Sequence, residues 1–218
     1  MDYKKVDFHT HSNDSHDGGI SFEQYRQILE GGQLDCVAIT DHNKIRIAQQ
    51  LHEEFGDKVI VGEEILAEEG EVIGLFLTKP IPSGLSMKKT IRLIKEQGAI
   101  VYIPHPFETI RHGIDEATLV QNRDAIDIIE TCNGRAFLQN RSEKTVVWAR
   151  LNHIPGAASS DAHGIRGVGK TYTLLREIPT KDTLLSLMSS AKLITDRPSL
   201  VSLLYPKFHR LRKKVTRA

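Results

Sequence analysis

Two hydrophobic periods alternate along the chain. Residues 6–8, 35–40, 59–61, 71–77, 99–103, 125–130 and 156–160 form short apolar or alternating runs, which predict strands, and 171–175 is a further candidate. Between them, 21–30, 45–55, 86–97, 137–151 and 180–190 read as amphipathic helices. Ser21 stands at a capping position, and in 86–97 Met87, Ile91 and Ile94 share a face before Gly98 ends the helix. Short strands alternating with helices define an α/β domain built on a largely parallel sheet. Seven or eight such steps in 218 residues fit either a compact barrel or an open, doubly wound sheet.

The polar residues at the strand ends favour the barrel. Five of the ten histidines sit just past an apolar run: His9, His11, His42, His105 and His163. Parallel strands deliver their C-terminal side chains into one mouth, and a barrel gathers them from many strands, whereas an open sheet gathers them mainly near its switch point. The other five, His16, His52, His112, His153 and His209, do not keep the phase and act as a control.

Each strand end carries plausible ligand chemistry. His9 and His11 are two residues apart, so in a strand both face one way, and Asp161 and His163 repeat the device with a hard oxygen. Asp41-His42 and Glu63-Glu64 follow apolar runs, His105 is followed by Pro106, and Asp17 lies on a glycine-rich loop where Asp14 and His16 compete for the same role. Taken singly, such pairs are as often hydrogen-bonded structural residues; in series they predict a shared site. Imidazoles and carboxylates without converging thiolates suit Zn, Mn or Fe. Eight donors exceed one ion's needs, so two or three divalent metal ions are expected, with Glu64 bridging. Such clusters suit phosphate esters. Arg111, His112, Arg135 and Lys170 are candidate phosphate clamps, Arg135 foremost.

The series His9-x-His11, Asp17-Gly18, Thr40-Asp41-His42-Asn43, Gly62-x-Glu64, His105-Pro106, Asp127-x-x-Glu130-x-x-Asn133 and Ser160-Asp161-Ala162-His163 resembles the polymerase and histidinol phosphatase (PHP) family of metal-dependent phosphoesterases. The resemblance implies a distorted (β/α)7 barrel with up to three metals at its C-terminal mouth. His9, His11, Asp17, His42, Glu64, His105, Asp161 and His163 would be ligands. Many members place a histidine after the Glu strand in an E-[IV]-H-x-x-G segment. Here Ile73 takes that place within Glu71-Val72-Ile73-Gly74-Leu75, so one ligand is missing and Glu63 or a water is the expected substitute. The chain also lacks room for the insertion that related nucleotide phosphatases carry between the Glu strand and the later ligands.

Composition narrows the picture further. Lys+Arg 29 against Asp+Glu 28 gives a net charge of +1, so any anion site must be local. Cys36 and Cys132 form no C-x-x-C pair, and no run has signal-peptide or membrane-spanning length, which suggests a soluble cytoplasmic protein. Oligomeric state is not legible. The expected organisation is a catalytic domain over residues 1–205 and a basic tail over 206–218, read as solvated, with an RNA or phosphate contact as the alternative. Residues 164–171 match the Walker A pattern G-x-x-x-x-G-K-[ST], yet the segment after Lys170 reads as β, where a P-loop needs a helix. The expected function is hydrolysis of a phosphomonoester or phosphodiester, of a small phosphorylated molecule or short nucleic acid, by a metal-bound hydroxide. Asp161, His163, Glu64 and Arg135 would carry the chemistry. The alternatives are a non-catalytic metal-binding or nucleic-acid accessory domain and, further off, a P-loop NTPase.

Overall fold

In the computed structural model, which describes residues 2–136, 141–196 and 200–215, the alternating pattern becomes a strongly curved sheet wrapped by helices. Strands β1 (Lys4–Thr10), β2 (Cys36–Ile39) and β3 (Val59–Ala67) are joined by α1 (Phe22–Glu30) and α2 (Arg46–Phe55). Then come β4 (Gly70–Leu75), α3 (Met87–Glu96), β5 (Ile100–Ile103), α4 (Glu116–Asn122), β6 (Ile128–Asn133), α5 (Ser142–Leu151) and β7 (Gly156–Ser159). The chain continues through β8 (Thr171–Leu175), α6 (Leu184–Met188), β9 (Lys192–Thr195), α7 (Leu200–Leu203) and α8 (Tyr205–Val215). The strand order is β7-β6-β5-β4-β3-β2-β1-β8-β9. Just past β7, Asp161 N donates to His9 O and His11 N to Ala162 O, both at 2.9 Å, so the sheet all but closes into a barrel.

Most expected elements are present, with informative differences. β1, β2 and β3 are mutually parallel, as are β5, β6 and β7, but β4 runs antiparallel to both its neighbours. Only Glu68 and Glu69 separate β3 from β4, enough for a hairpin and far too short for a crossover helix. β6 begins three residues later than expected, after a 3₁₀ turn at Arg123–Ala125, and the helix expected over 180–190 contracts to α6. Residues 137–140 of the helix expected over 137–151 lie outside the described residues; α5 covers 142–151, with Arg141 as its cap. The Walker-like segment makes one 3₁₀ turn, Ile165–Gly167, and enters β8, so no helix N-terminus receives a phosphate there. Of the tail expected over 206–218, residues 206–215 belong to α8 and the rest lie outside the described residues. Among the described residues no helix is long and apolar enough to cross a membrane.

Period-two alternation sorts side chains between two cores. On β2, Cys36 and Ala38 face the barrel interior with Val6, Phe8, Ile60, Ile73, Leu75, Tyr102 and Ile128, while Val37 and Ile39 face the helix layer. That outer core takes Tyr25 and Ile28 of α1, Leu51 of α2 and Ile91 and Ile94 of α3, whose spacing is helical. α1 starts on a complete capping box: the Ser21 hydroxyl accepts from Gln24 N and the Gln24 side chain accepts from Ser21 N. The apolar residues fill the lower barrel, so the polar residues on the same faces emerge at the upper end as a ring.

Candidate metal centre

A β-bulge sets the first two candidate ligands. Val6 pairs with Cys36 and Asp7 with Val37, but Thr10 pairs with Ile39, so β1 carries one extra residue. Phe8 faces the barrel interior, and simple alternation would send His9 and His11 outward with Asp7. The extra residue turns both imidazoles into the mouth and sends Thr10 outward, where its hydroxyl donates to Ala38 O and accepts from Tyr25 on α1. His9 Nε2 and His11 Nε2 then lie 3.1 Å apart.

Around this pair the eight expected ligands converge, all but His42 nearly inaccessible to solvent. Glu64 divides its oxygens: Oε1 lies 3.4 Å from His9 Nε2 and 3.2 Å from His105 Nε2, whereas Oε2 lies 3.3 Å from His11 Nε2 and 3.2 Å from His42 Nδ1. That disposition suits a bridging carboxylate. Asp161 Oδ1 sits 3.6 Å from His9 Nε2, 3.5 Å from His11 Nε2 and 3.3 Å from His163 Nδ1. Asp17 Oδ1 is buried without a hydrogen-bond partner, 3.5 Å from both His42 Nε2 and His163 Nε2. Clusters such as His11, His42 and His163, or His9, Glu64 and His105, bring donor atoms within 4.8 Å of one another. A buried carboxylate oxygen without a partner and imidazoles turned ring to ring are what a cation would satisfy, so the residues fit divalent metals. Asp161 and His105 hold φ of 51° and 27°, a left-handed conformation that costs a non-glycine residue about 1–3 kcal/mol and is concentrated at functional sites.

The position left open in the sequence series is occupied by a different residue. Ile73 pairs with Glu64 and is buried in the interior core, and Glu63, on the opposite face of β3 from Glu64, accepts from Ile81 N at 2.8 Å. Neither reaches the mouth. Because β4 runs antiparallel, its first residues lie at the upper end, and Glu71, two residues before Ile73, enters the site. Glu71 Oε1 is 3.8 Å from His42 Nδ1 and Oε2 is 3.6 Å from His105 Nε2. The signal was the spacing: Glu71, Ile73 and Leu75 share one face of a strand that turns back after two residues.

Electrostatics follow from burial and crowding. Burial opposes charge on Asp161 and Glu64, yet Arg135 and His9 hold Asp161, and His9 and His42 hold Glu64, well below the usual carboxylate range. Burial pushes Glu71 up to about 9, assisted by the charges of Glu64 and Asp161. Burial also opposes charge on His9 and His11, but the surrounding carboxylates raise His9 well above its ordinary value and His11 to about 9. His42 and His163 fall by burial to about 4 and about 3.

A supporting layer fixes the candidate ligands. Glu130 Oε1 faces His9 Nδ1 at 3.2 Å and accepts from the Tyr102 hydroxyl at 3.1 Å; Oε2 accepts from His105 N and Asn133 Nδ2, each at 2.8 Å. This carboxylate directs the other nitrogen of His9 into the site. Asp41 accepts from Ser12 N and the Ser15 hydroxyl, and Ser15 Oγ meets His11 Nδ1 at 3.1 Å. Asp127 lies outside this network, accepting from Val101 N at the far end of the barrel and pairing with Lys95.

The mouth opens into a cavity of about 340 Å³. Arg111 and Arg135 line it: Arg111 Nη1 donates to Asp161 Oδ2 at 2.5 Å and forks across Glu108, while Arg135 Nη1 lies 3.2 Å from both Asp161 oxygens. Lys170 is exposed away from the lining, and Asp14 pairs with Arg46. The control histidines separate: His52 bonds Val59 O outside the site, but His16 and His112 reach the cavity from loops, where a strand-end rule is blind.

Comparison with known proteins agrees with this architecture. The PHP-associated family PHP_C matches residues 140–193. A protein of Methanocaldococcus jannaschii described as uncharacterized, MJ1587, is 35% identical over 156 residues, covering 66% of this chain and 91% of its own. Among solved structures, a two-domain protein from Bacteroides vulgatus containing a predicted PHP-like metal-dependent phosphoesterase superposes with a TM-score of 0.70 at 21% identity, over 96% of this chain and 70% of that one. An amidohydrolase from Chromobacterium violaceum, with bound sulfate and no metal, gives 0.62 at 13% identity, over 90% and 99%. The chain has the fold of PHP-like metal-dependent phosphoesterases. It belongs to the PHP family.

Proposed function

We propose that this protein is a metal-dependent hydrolase of phosphate esters, acting on a small phosphorylated molecule or a short nucleic acid end. The observation that carries the reading is the ring of buried imidazoles and carboxylates, with Glu64 dividing its oxygens between two histidine pairs, beneath a cavity lined by guanidinium groups. His9, His11, Asp17, His42, Glu64, Glu71, His105, Asp161 and His163 would hold two or three divalent metal ions, Zn, Mn or Fe. Bound there, such ions supply a nucleophile at neutral pH and neutralise charge on a phosphoryl group.

The remaining contributions come from the chain itself. Arg111 and Arg135 present planar donors that match phosphate oxygens and favour a phosphoester over an amide. Glu130 keeps the Nδ1 proton of His9 directed away from the mouth, and Asp41 restrains Ser15 and through it the ring of His11. The barrel walls exclude water from the lower half of the site, which strengthens each ionic contact within it.

The test is hydrolysis of p-nitrophenyl phosphate and bis-p-nitrophenyl phosphate by protein of measured metal content, with an amide panel alongside. Activity should vanish on exhaustive chelation and return with Mn²⁺ or Zn²⁺. Activity that survives chelation, or turnover confined to amides, would overturn the reading.

A further inference from the structure

The C-terminal helix does not trail into solvent. α8 lies over one side of the mouth on a seat that the rest of the chain provides. Lys213 Nζ donates to the carbonyls of Asn13 (2.7 Å), Gly18 (2.9 Å) and Ser15, so all three ammonium hydrogens are placed on the loop that carries Asp17. Two glycines clear the space. A Cβ at Gly19 would lie 2.1 Å from the His209 ring, and one at Gly164 would lie 2.4 Å from the Tyr205 ring. Phe208, Leu211 and Val215 face solvent at 57, 65 and 71% exposure, so the helix sits on Lys213, the Tyr205 and His209 rings and the buried Pro206 rather than on a broad apolar face.

This seating brings Arg210 into the cavity. Its Nη2 donates to Asp17 Oδ2 at 3.1 Å, the oxygen turned away from His42 and His163, so the contact leaves Oδ1 toward the imidazoles. Three arginines line the cavity, and they are not equivalent. Arg111 and Arg135 are 15 and 18% exposed and tied to Asp161, whereas Arg210 is 54% exposed with this one carboxylate contact. It is the guanidinium best able to turn to an incoming anion.

We infer that α8 is a lid that makes the mouth selective for a small molecule ending in a phosphomonoester, with Arg210 as the specificity-determining residue that binds its terminal phosphate. A phosphomonoester dianion carries one more charge than a diester, and a third guanidinium added to Arg111 and Arg135 rewards that charge. The lid also walls one side of a cavity of about 340 Å³, which suits a small ligand and obstructs a polymer passing through. The inference rests on the phosphoesterase reading for its substrate, but not for its ligand.

The test therefore has a binding arm and a turnover arm, both on the metal-loaded full chain. Inorganic phosphate should bind the wild type and slow amide hydrogen exchange across residues 204–215. Arg210→Ala should weaken that binding about tenfold and abolish the slowing, Arg210→Lys should restore part of it, and metal content should be unchanged. Lys213→Met, which unseats the lid with Arg210 intact, should weaken phosphate binding as well. In turnover, Arg210→Ala should raise KM for p-nitrophenyl phosphate about tenfold with kcat within about twofold, and raise KM for bis-p-nitrophenyl phosphate by a clearly smaller factor. Phosphate affinity unchanged in both variants, exchange in α8 indifferent to phosphate, or equal losses on both esters would overturn the inference. A wild type that binds phosphate with these signatures yet hydrolyses neither ester refutes the hydrolase reading and leaves the lid standing.

Discussion

Loading the site with metal must expel protons, and their number is fixed by the carboxylates that crowd the histidines. Only a neutral imidazole or an ionised carboxylate coordinates. At pH 7, His11 and Glu71, both near 9, are protonated, and His9, raised well above its ordinary value, is protonated too. His42 and His163, lowered to about 4 and about 3, are already neutral, and Asp161 and Glu64 are already ionised, so these four release nothing. Loading at pH 7 should release about three protons from His9, His11 and Glu71, each worth about tenfold in affinity per pH unit. Deprotonating a group two pH units below its pKa costs about 3 kcal/mol. The sign is therefore definite: affinity rises from pH 6 to 8, and the rise flattens above about 9 as His11 and Glu71 lose their protons. Calorimetric titration of metal-free protein with Zn²⁺, in buffers of different ionisation enthalpy, counts the protons directly. Glu71→Gln removes one titrating ligand, and the count should fall by about one. Release of fewer than one proton, or a count unaltered in Glu71→Gln, would refute both the electrostatic account and the assignment of Glu71.

Three further outcomes are expected. Glu130→Gln should lower metal affinity about 10- to 100-fold by equilibrium dialysis, because an amide cannot accept from both His9 and the His105 backbone while also facing Tyr102 and Asn133. Ser21→Ala should destabilise the fold by about 1 kcal/mol in urea, through loss of the α1 capping box, with metal content unchanged. Cys36 is fully buried and burial pushes its thiol far up, so a thiol reagent should label Cys132 first and reach Cys36 only on unfolding.

The site was legible to the extent that it obeys local periods. His9, His11, His42, Glu64, His105, Asp161 and His163 could be placed because each follows an apolar run, and a strand fixes where its end side chains project. Asp17 came from its glycine-rich loop. Glu71 escaped because its role depends on the direction of β4. Read as one more parallel strand, the run from Glu71 to Leu77 puts its first residue at the wrong end of the barrel, and attention falls on Ile73. Arg210 escaped for another reason: a cationic run with no acid among it looks like a solvated tail unless its partners, the carbonyls of residues 13–18, are known.

The sequence alone determined the periods, the donor types and their order along the chain, since these depend only on neighbouring residues. Tertiary structure decided which donors meet. A bulge in the pairing of β1 with β2 turns His9 and His11 inward, a two-residue connection forces β4 to run backward and raises Glu71 into the mouth, and a seat cut by Gly19 and Gly164 admits α8. Each of these depends on contacts between segments distant along the chain, and hydrophobic periodicity carries no record of such contacts.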